Sequence, residues 1–282
     1  MMIIDPHIHM VSRTTDDYER LALSGVVAVS EPAFWAGFDR SPEGFFDYYR
    51  QLTEFEPKRA AQFGIQHYSW ICLNPKEAQD LGKAQAVLEG MPEFLNRPNV
   101  LGIGEIGLNK NTPNEARVFM EHVQMAINHG KNLPCGHHLI LIHTPHLEDK
   151  LKGTRWIMDM LADFGSQLDH GRILIDHIEE HTAKMVLDEG YWAGMTIYPI
   201  SKCTPQRAVD IMEMYGHKQL MVNAAADWGV SDPFNTHRTL HEARRRGYHL
   251  PTLLDIFYNN PARFFGQSAN FRPRPMQIIP AE

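Results

Sequence analysis

Two histidines flank a single isoleucine near the start of the chain, in Asp5-Pro6-His7-Ile8-His9. Side chains alternate along an extended strand, so Asp5, His7 and His9 are expected on one face and Ile4 and Ile8 on the other. Two imidazoles at i and i+2 can reach one cation. Four later apolar runs end in groups of the same kind. Glu105 stands in Gly102-Ile103-Gly104-Glu105-Ile106-Gly107, His143 follows Leu139-Ile140-Leu141-Ile142, His177 follows Ile173-Leu174-Ile175-Asp176, and Asp227 follows Ala224-Ala225-Ala226. Any one of these histidines alone reads as a hydrogen-bonded core residue. Histidines and carboxylates at five strand ends, all turned to one rim, instead read as a divalent-metal site. Mixed nitrogen and oxygen donors suit Zn²⁺, Mn²⁺ or Fe²⁺, and admit Mg²⁺. Asp5 is expected behind the metal, orienting a ligand histidine through its other ring nitrogen.

Such a rim is what a (β/α)8 barrel supplies, at the C-terminal ends of its strands. Strands are expected at residues 2–7, 25–29, 65–73, 100–106, 139–143, 172–177, 191–197 and 220–225. Helices are expected at 15–24, 43–63, 76–94, 114–129, 147–164, 183–189, 205–215 and 235–246. Thr14-x-x-Asp17 and Pro113-Asn114 read as helix starts, Gly130 and Gly247 as stops. Eight such units in 282 residues average about 35 each, the size of one barrel repeat. An open doubly wound sheet would favour a G-x-G-x-x-G turn after the first strand, where this chain has its histidines. Gly102-x-Gly104 lies within a strand and lacks the third glycine. The expectation is a single α/β TIM-barrel domain over residues 1–266. A Pro-rich, non-helical tail at 267–282, including Phe271-Arg272-Pro273-Arg274-Pro275, is expected to cross the surface or a neighbouring subunit.

The chain carries 27 Lys and Arg against 34 Asp and Glu, a net charge of −7, with 43% hydrophobic residues. That balance excludes disorder and argues against a nucleic-acid partner. The histidine count of 16 is high and agrees with a metal site. Cys72, Cys135 and Cys203 form no C-x-x-C pair and read as reduced thiols of a cytoplasmic protein. No apolar run reaches about 18 residues and no basic leader is visible, so neither a membrane span nor a signal peptide is expected.

The rim loops bear on the substrate. Phe34, Trp35 and Phe38 follow the second strand, Phe45 and Phe46 come soon after, and Trp70, Tyr198 and Trp228 lie near other strand ends. An aromatic mouth suits a small, partly apolar molecule. Lys110, Lys150, Lys202 and Arg207 leave room for a phosphoester. His146 and His181 stand just past metal-bearing strand ends, within reach of a substrate. His137 and His138 precede the fifth strand on the opposite rim, and His122, His129, His217, His241 and His249 fall on helices or loops without a chemical role. Arg244-Arg245-Arg246 reads as a solvated helix terminus.

Asp5-x-His7-x-His9, Gly104-Glu105-Ile106-Gly107-Leu108, His143, His177 and Asp227 together resemble the TatD-type metal-dependent hydrolases of the amidohydrolase superfamily. Asn260-Pro261-Ala262-Arg263-Phe264-Phe265-Gly266 resembles that family's terminal helix, so the resemblance runs from Asp5 to Gly266. It implies a TIM barrel holding two divalent ions: His7, His9 and Asp227 on the buried one, His143 and His177 on the more exposed one, and Glu105 bridging. TatD nucleases usually continue with Asp-Tyr after the strand-four motif, carry Ser/Cys-Arg after the strand-five histidine, and read Thr-Asp-x-Pro on strand eight. Here the corresponding stretches are Asn109-Lys110, Thr144-Pro145-His146 and Ala226-Asp227-Trp228-Gly229. The metal residues match while the DNA-handling ones do not, which marks a divergent branch. The phosphotriesterase and lactonase group usually bridges its metals with a carbamylated lysine, and no lysine occupies the Glu105 position.

The resemblance implies a hydrolase that turns metal-activated hydroxide on an ester-type bond (phosphoester, lactone or carboxylester) or an amide bond. Asp227 would serve as ligand and as general base, then acid. Two alternatives stay open at this point: a 3′-to-5′ DNA exonuclease of the TatD kind, and a catalytically silent metal-binding barrel within an assembly.

Overall fold

The computed structural model describes residues 1–34, 37–134, 136–145 and 148–273. At its centre lies an eight-stranded parallel sheet whose spatial order follows the sequence. The strands are β1 (Ile3–Asp5), β2 (Val26–Pro32), β3 (Gln66–Ile71), β4 (Val100–Gly107), β5 (Leu139–His143), β6 (Ile173–Asp176), β7 (Trp192–Thr196) and β8 (Leu220–Asn223). Just beyond β1 and β8, Ile8 bridges Ala225: the Ala225 N–H donates to His7 O at 2.8 Å and the His9 N–H to Ala225 O at 2.7 Å. The sheet thereby closes into a (β/α)8 TIM barrel with helices around it, a single domain as expected. The segment that closes it is the one that carries His7 and His9.

Each strand sends an apolar side chain into the lower interior: Ile4, Ala28, Trp70, Leu101, Leu141, Leu174, Trp192 and Met221. Phe264 and Phe265, on the helix Asn260–Phe265, plug this layer from the N-terminal side, and Phe271 packs on Tyr68 and Phe265. Helices cover the outer face with their own apolar stripes. The helix Pro113–Gly130 shows how: a Thr112/Glu115 capping box starts it, and Val118, Phe119, Val123, Ala126 and Ile127 pack inward.

Three expectations need correction. The helix expected at 76–94 is a short turn, Pro75–Glu77, followed by the helices Leu81–Gly90 and Pro92–Leu95. The helix expected at 43–63 is broken into Pro42–Arg50, a π-helical turn Gln51–Phe55, and Glu56–Ala61. Pro57 has no N–H to give the helical ladder, and the register resets ahead of it. β1 also ends early, at Asp5. Its Oδ1 accepts the His7 N–H at 3.1 Å across Pro6, an Asx turn that shifts the phase of the chain. Ile4 therefore fills the interior while Asp5 faces the helix Asn235–Arg245, where the Thr236 hydroxyl donates to Oδ2 at 2.6 Å. Asp5 does not share a face with the two histidines.

Cys72 and Cys203 are buried free thiols. Among the described residues no helix is long and apolar enough to cross a membrane. Trp35, Cys135, His146 and the tail from Arg274 onward lie outside the described residues.

Candidate metal centre

Moving up the inner face of the barrel, the apolar layer gives way to polar residues. Two positions beyond Leu141, Leu174 and Met221 stand His143, Asp176 and Asn223, and Thr196 ends β7 above Trp192. Asp176 is the hub of this layer. Its Oδ2 accepts from His7 Nδ1 at 2.6 Å and from Asn223 Nδ2 at 3.0 Å. Its Oδ1 accepts from the His177 N–H at 2.7 Å, from Asn223 Nδ2 at 2.9 Å and from the Thr196 hydroxyl at 3.1 Å. Because the Thr196 hydroxyl donates to Asp176, it accepts from His177 Nδ1–H, 2.6 Å away. His7 and His177 thus commit their Nδ1 protons to one network and present Nε2 to the centre.

At that centre His7 Nε2 stands 3.0 Å from His9 Nε2. His177 Nε2 is 2.7 Å from Glu105 Oε1 and 2.9 Å from His143 Nδ1, which is itself 2.7 Å from the same Glu105 oxygen. Nitrogen facing nitrogen or carboxylate at such separations fits a shared cation, proton or metal. Three donor sets converge: His7, His9 and Glu105; Glu105, His143 and His177; and His7, Asp176 and His177. His9 Nδ1 is buried and has no hydrogen-bond partner among the described residues, a donor left over for a ligand the protein itself does not supply.

The charges agree with that fit. Burial, reinforced by His7, pushes His9 down to about 3. Burial also lowers His143, and burial with Lys202 holds His177 well below its ordinary range. His7 is the exception, since Glu105 and Asp176 outweigh its burial and raise it. Burial would raise Glu105, but His143 and His7 outweigh it and keep the carboxylate ionised. Neutral imidazoles beside ionised carboxylates are the protonation state that metal binding requires.

His7, His9, Glu105, His143 and His177 are thus brought together. Asp227 lines the same cavity but belongs to none of the three donor sets. Its Oδ1 accepts from the Gly229 N–H at 2.8 Å and from the Tyr198 hydroxyl at 3.0 Å. Burial opposes ionisation there, yet the Gly229 hydrogen bond and His9 prevail and lower it below the ordinary carboxylate value.

The orienting role expected of Asp5 falls to Asp176, which the sequence reading left without a role. Asp5 accepts instead from the backbone of His7 and Ala224 and from Thr236. The aromatic mouth is also thinner than expected. Trp70 is fully buried in the lower interior and donates to Ser30, while Phe45 and Phe46 pack beside Tyr49, away from the cavity. Phe34 and Tyr198 line the cavity, and Phe38 and Trp228 are exposed. Lys150 donates to His177 O at 2.6 Å, Arg207 pairs with Glu179 and Glu180, and His181 is exposed outside the cavity. Of the basic residues singled out in the sequence, Lys202 lines the cavity. It is joined by Lys76, which the sequence reading passed over.

No family model matches the sequence. Over 265 residues the chain is 26% identical to a protein of Methanocaldococcus jannaschii described as an uncharacterized metal-dependent hydrolase, covering 93% of this chain and 99% of that one. A TatD-like protein of Archaeoglobus fulgidus superposes with a TM-score of 0.71 at 24% identity, over 93% of this chain and 99% of that one. A β-aspartyl dipeptidase of Fervidobacterium islandicum superposes with a TM-score of 0.65 at 15% identity, over 93% of this chain and 74% of that one. The resemblance carried by the strand-end residues is supported in both comparisons: along nearly its whole length this chain is similar in sequence to a metal-dependent hydrolase and shares the fold of a TatD-like protein.

Proposed function

We propose that this chain, a metal-dependent hydrolase of the TatD-like type, cleaves an ester-type or amide bond of a small molecule with two divalent cations at the head of the barrel. One observation carries the reading: two donor sets share a carboxylate, His7 and His9 meeting Glu105 on one side, His143 and His177 on the other. Asp227 would complete the first set. The mixed donors suit Zn²⁺, Mn²⁺ or Fe²⁺. When bound, such cations polarise the scissile group and bring the acidity of water toward neutral pH.

The remaining work belongs to the chain. Tyr198 and Gly229 hold one oxygen of Asp227, and its Oδ2 has no hydrogen-bond partner among the described residues. Ionised and lining the cavity, Asp227 accepts the proton of the attacking water and returns it to the leaving group. The Phe34 ring, 4.7 Å from that of His9, forms an apolar wall beside these groups. A cavity of about 200 Å³ and a net charge of −7 favour a small molecule over a polynucleotide.

Elemental analysis of protein purified without added metal is expected to find about one to two transition ions per chain. Asp227→Asn should keep that metal and lose ~10²–10⁴-fold in turnover on a panel of phosphoesters, lactones, carboxylesters and amides. His143→Ala should instead lower metal content and recover in part with excess metal. Protein that stays metal-free on reconstitution overturns the reading, and Asp227→Asn with full metal and full turnover removes Asp227 from the chemistry.

A further inference from the structure

Two ammonium groups line the cavity without a carboxylate partner. Lys202 lies in the loop after β7, half-buried, with its Nζ 3.5 Å from His177 Nε2 and 5.6 Å from the centre of the Tyr198 ring. Exposed Lys76, in the turn Pro75–Glu77 that follows β3, holds its Nζ 4.6 Å over the Phe34 ring. Neither makes an ion pair among the described residues. Nearby basic side chains do: Arg40 and Lys83 take the two oxygens of Glu77 at 2.9 and 2.6 Å, and Arg207 takes Glu180 at 2.6 Å. The carboxylate next to Lys76 in sequence is therefore already engaged. The carboxylates of the same cavity, Glu105 and Asp227, are on the hydrolase reading taken up by the metals, which leaves the two ammonium groups to a bound anion.

We infer that the substrate carries an anionic group, carboxylate or phosphate, beside the bond that is cut, and that Lys76 and Lys202 hold it. The inference rests on the hydrolase reading above and names the substrate class for that site. Two ammonium groups act as point charges and lack the planar fork of arginine, so they select negative charge rather than one oxyanion geometry. They approach from different sides of the cavity, Lys76 from the β3 loop and Lys202 from the β7 loop. Lys202 stands next to His177, a metal ligand on that reading, so an anion on it sits within reach of the reacting centre. The apolar character expected of the substrate is then confined to the part that meets Phe34.

The test is calorimetric binding of inorganic phosphate, succinate and neutral succinamide to the metal-loaded protein, to Lys202→Met and to Lys76→Met. Wild type should bind at least one anion about tenfold more tightly than either variant, with no such difference for succinamide. The anion that shows the larger difference identifies the group as phosphate or carboxylate. Variants that bind both anions as wild type does would overturn the proposal. Thermal midpoints report whether each variant folds, and exposed Lys76 carries the test if Lys202→Met does not. Metal content is measured on the same samples. A chain that takes up no metal defeats the hydrolase reading, while the lysine comparison still reads out on that metal-free protein.

Discussion

Asp176 meets donors on both oxygens: His7 and Asn223 at one, His177, Thr196 and Asn223 at the other. Asparagine in its place sets an amide N–H₂ against one of those donors and releases either His7 or His177 from its tautomer. Asp176→Asn should therefore weaken metal affinity ~10–100-fold, measured by competition with a chromogenic chelator. Asp5→Asn is the contrast. Burial pushes Asp5 up to about 7, and its partners are Thr236 and backbone N–H groups, so metal affinity should stay near wild type while stability falls. Equal losses of affinity in the two variants would contradict the assignment of the orienting role. His7, His9, Glu105, His143, His177 and Asp227 stand out as candidates in the sequence because apolar runs announce strand ends; the structure gathers the first five and leaves Asp227 on the cavity wall outside the donor sets. Asp176 is not, since strand alternation turns it away from its neighbour His177. Only the left-handed backbone of His177, at φ +60°, lets both take part in one site. That conformation costs a non-glycine residue roughly 1–2 kcal/mol, and no pattern of residue types marks it. Asp5 misleads for a related reason: the Asx turn across Pro6 shifts the phase of alternation.

The elements around the site have their own requirements. A Cβ on Gly194 of β7 would stand 2.3 Å from Asp176 Oδ1, so only glycine lets β7 pass that close to the hub of β6. Gly194→Ala should displace the Asp176 carboxylate and lower metal affinity in the direction of Asp176→Asn, by the same competition assay. The helix Pro113–Gly130 is anchored to the end of β3 by His122. Its Nε2 accepts the Leu73 N–H at 3.1 Å, so Nδ1 carries the proton and donates to Val118 O at 2.8 Å. Burial pushes this ring from 6.5 down to about 4. The unfolded chain then takes up a proton near the ordinary value while the folded chain does not. Stability from this group is complete above that ordinary value and is lost as pH falls toward the folded one. The loss should reach about 3 kcal/mol. Urea unfolding at several pH values should show a steeper acid loss in wild type than in His122→Gln, and parallel curves would rule His122 out as the cause. The sequence shows the helix and its apolar stripe but not this role, because a histidine on a helix looks the same whether it is solvated or bridging to a strand.

At the scale of the whole molecule the barrel divides into a packed floor and a polar head. Ile4, Trp70, Leu141, Leu174, Trp192 and Met221 form the floor, and Phe264 and Phe265 close it from below. The donors all lie above this layer, on residues two or more positions farther along, at the ends of the same strands or just past them. Such a division predicts that stability and metal binding respond to different substitutions. Phe265 is fully buried, with its ring centroid 6.0 Å from that of Trp70 and 5.7 Å from those of Phe264 and Phe271. Phe265→Ala removes a large apolar side chain and leaves a void that these rigid neighbours can fill only in part. The cost should be about 3–5 kcal/mol. Bound metal would mask part of that loss by favouring the folded state, so urea midpoints are to be compared in excess chelator. The metal dissociation constant, measured where the variant remains folded, should stay within a few-fold of wild type, because among the described residues the rings packed on Phe265 are Trp70, Phe264 and Phe271, none of them a donor or a side chain that orients one. A large loss of metal affinity with little loss of stability would mean that the floor sets the geometry of the head, and that the two layers are not independent.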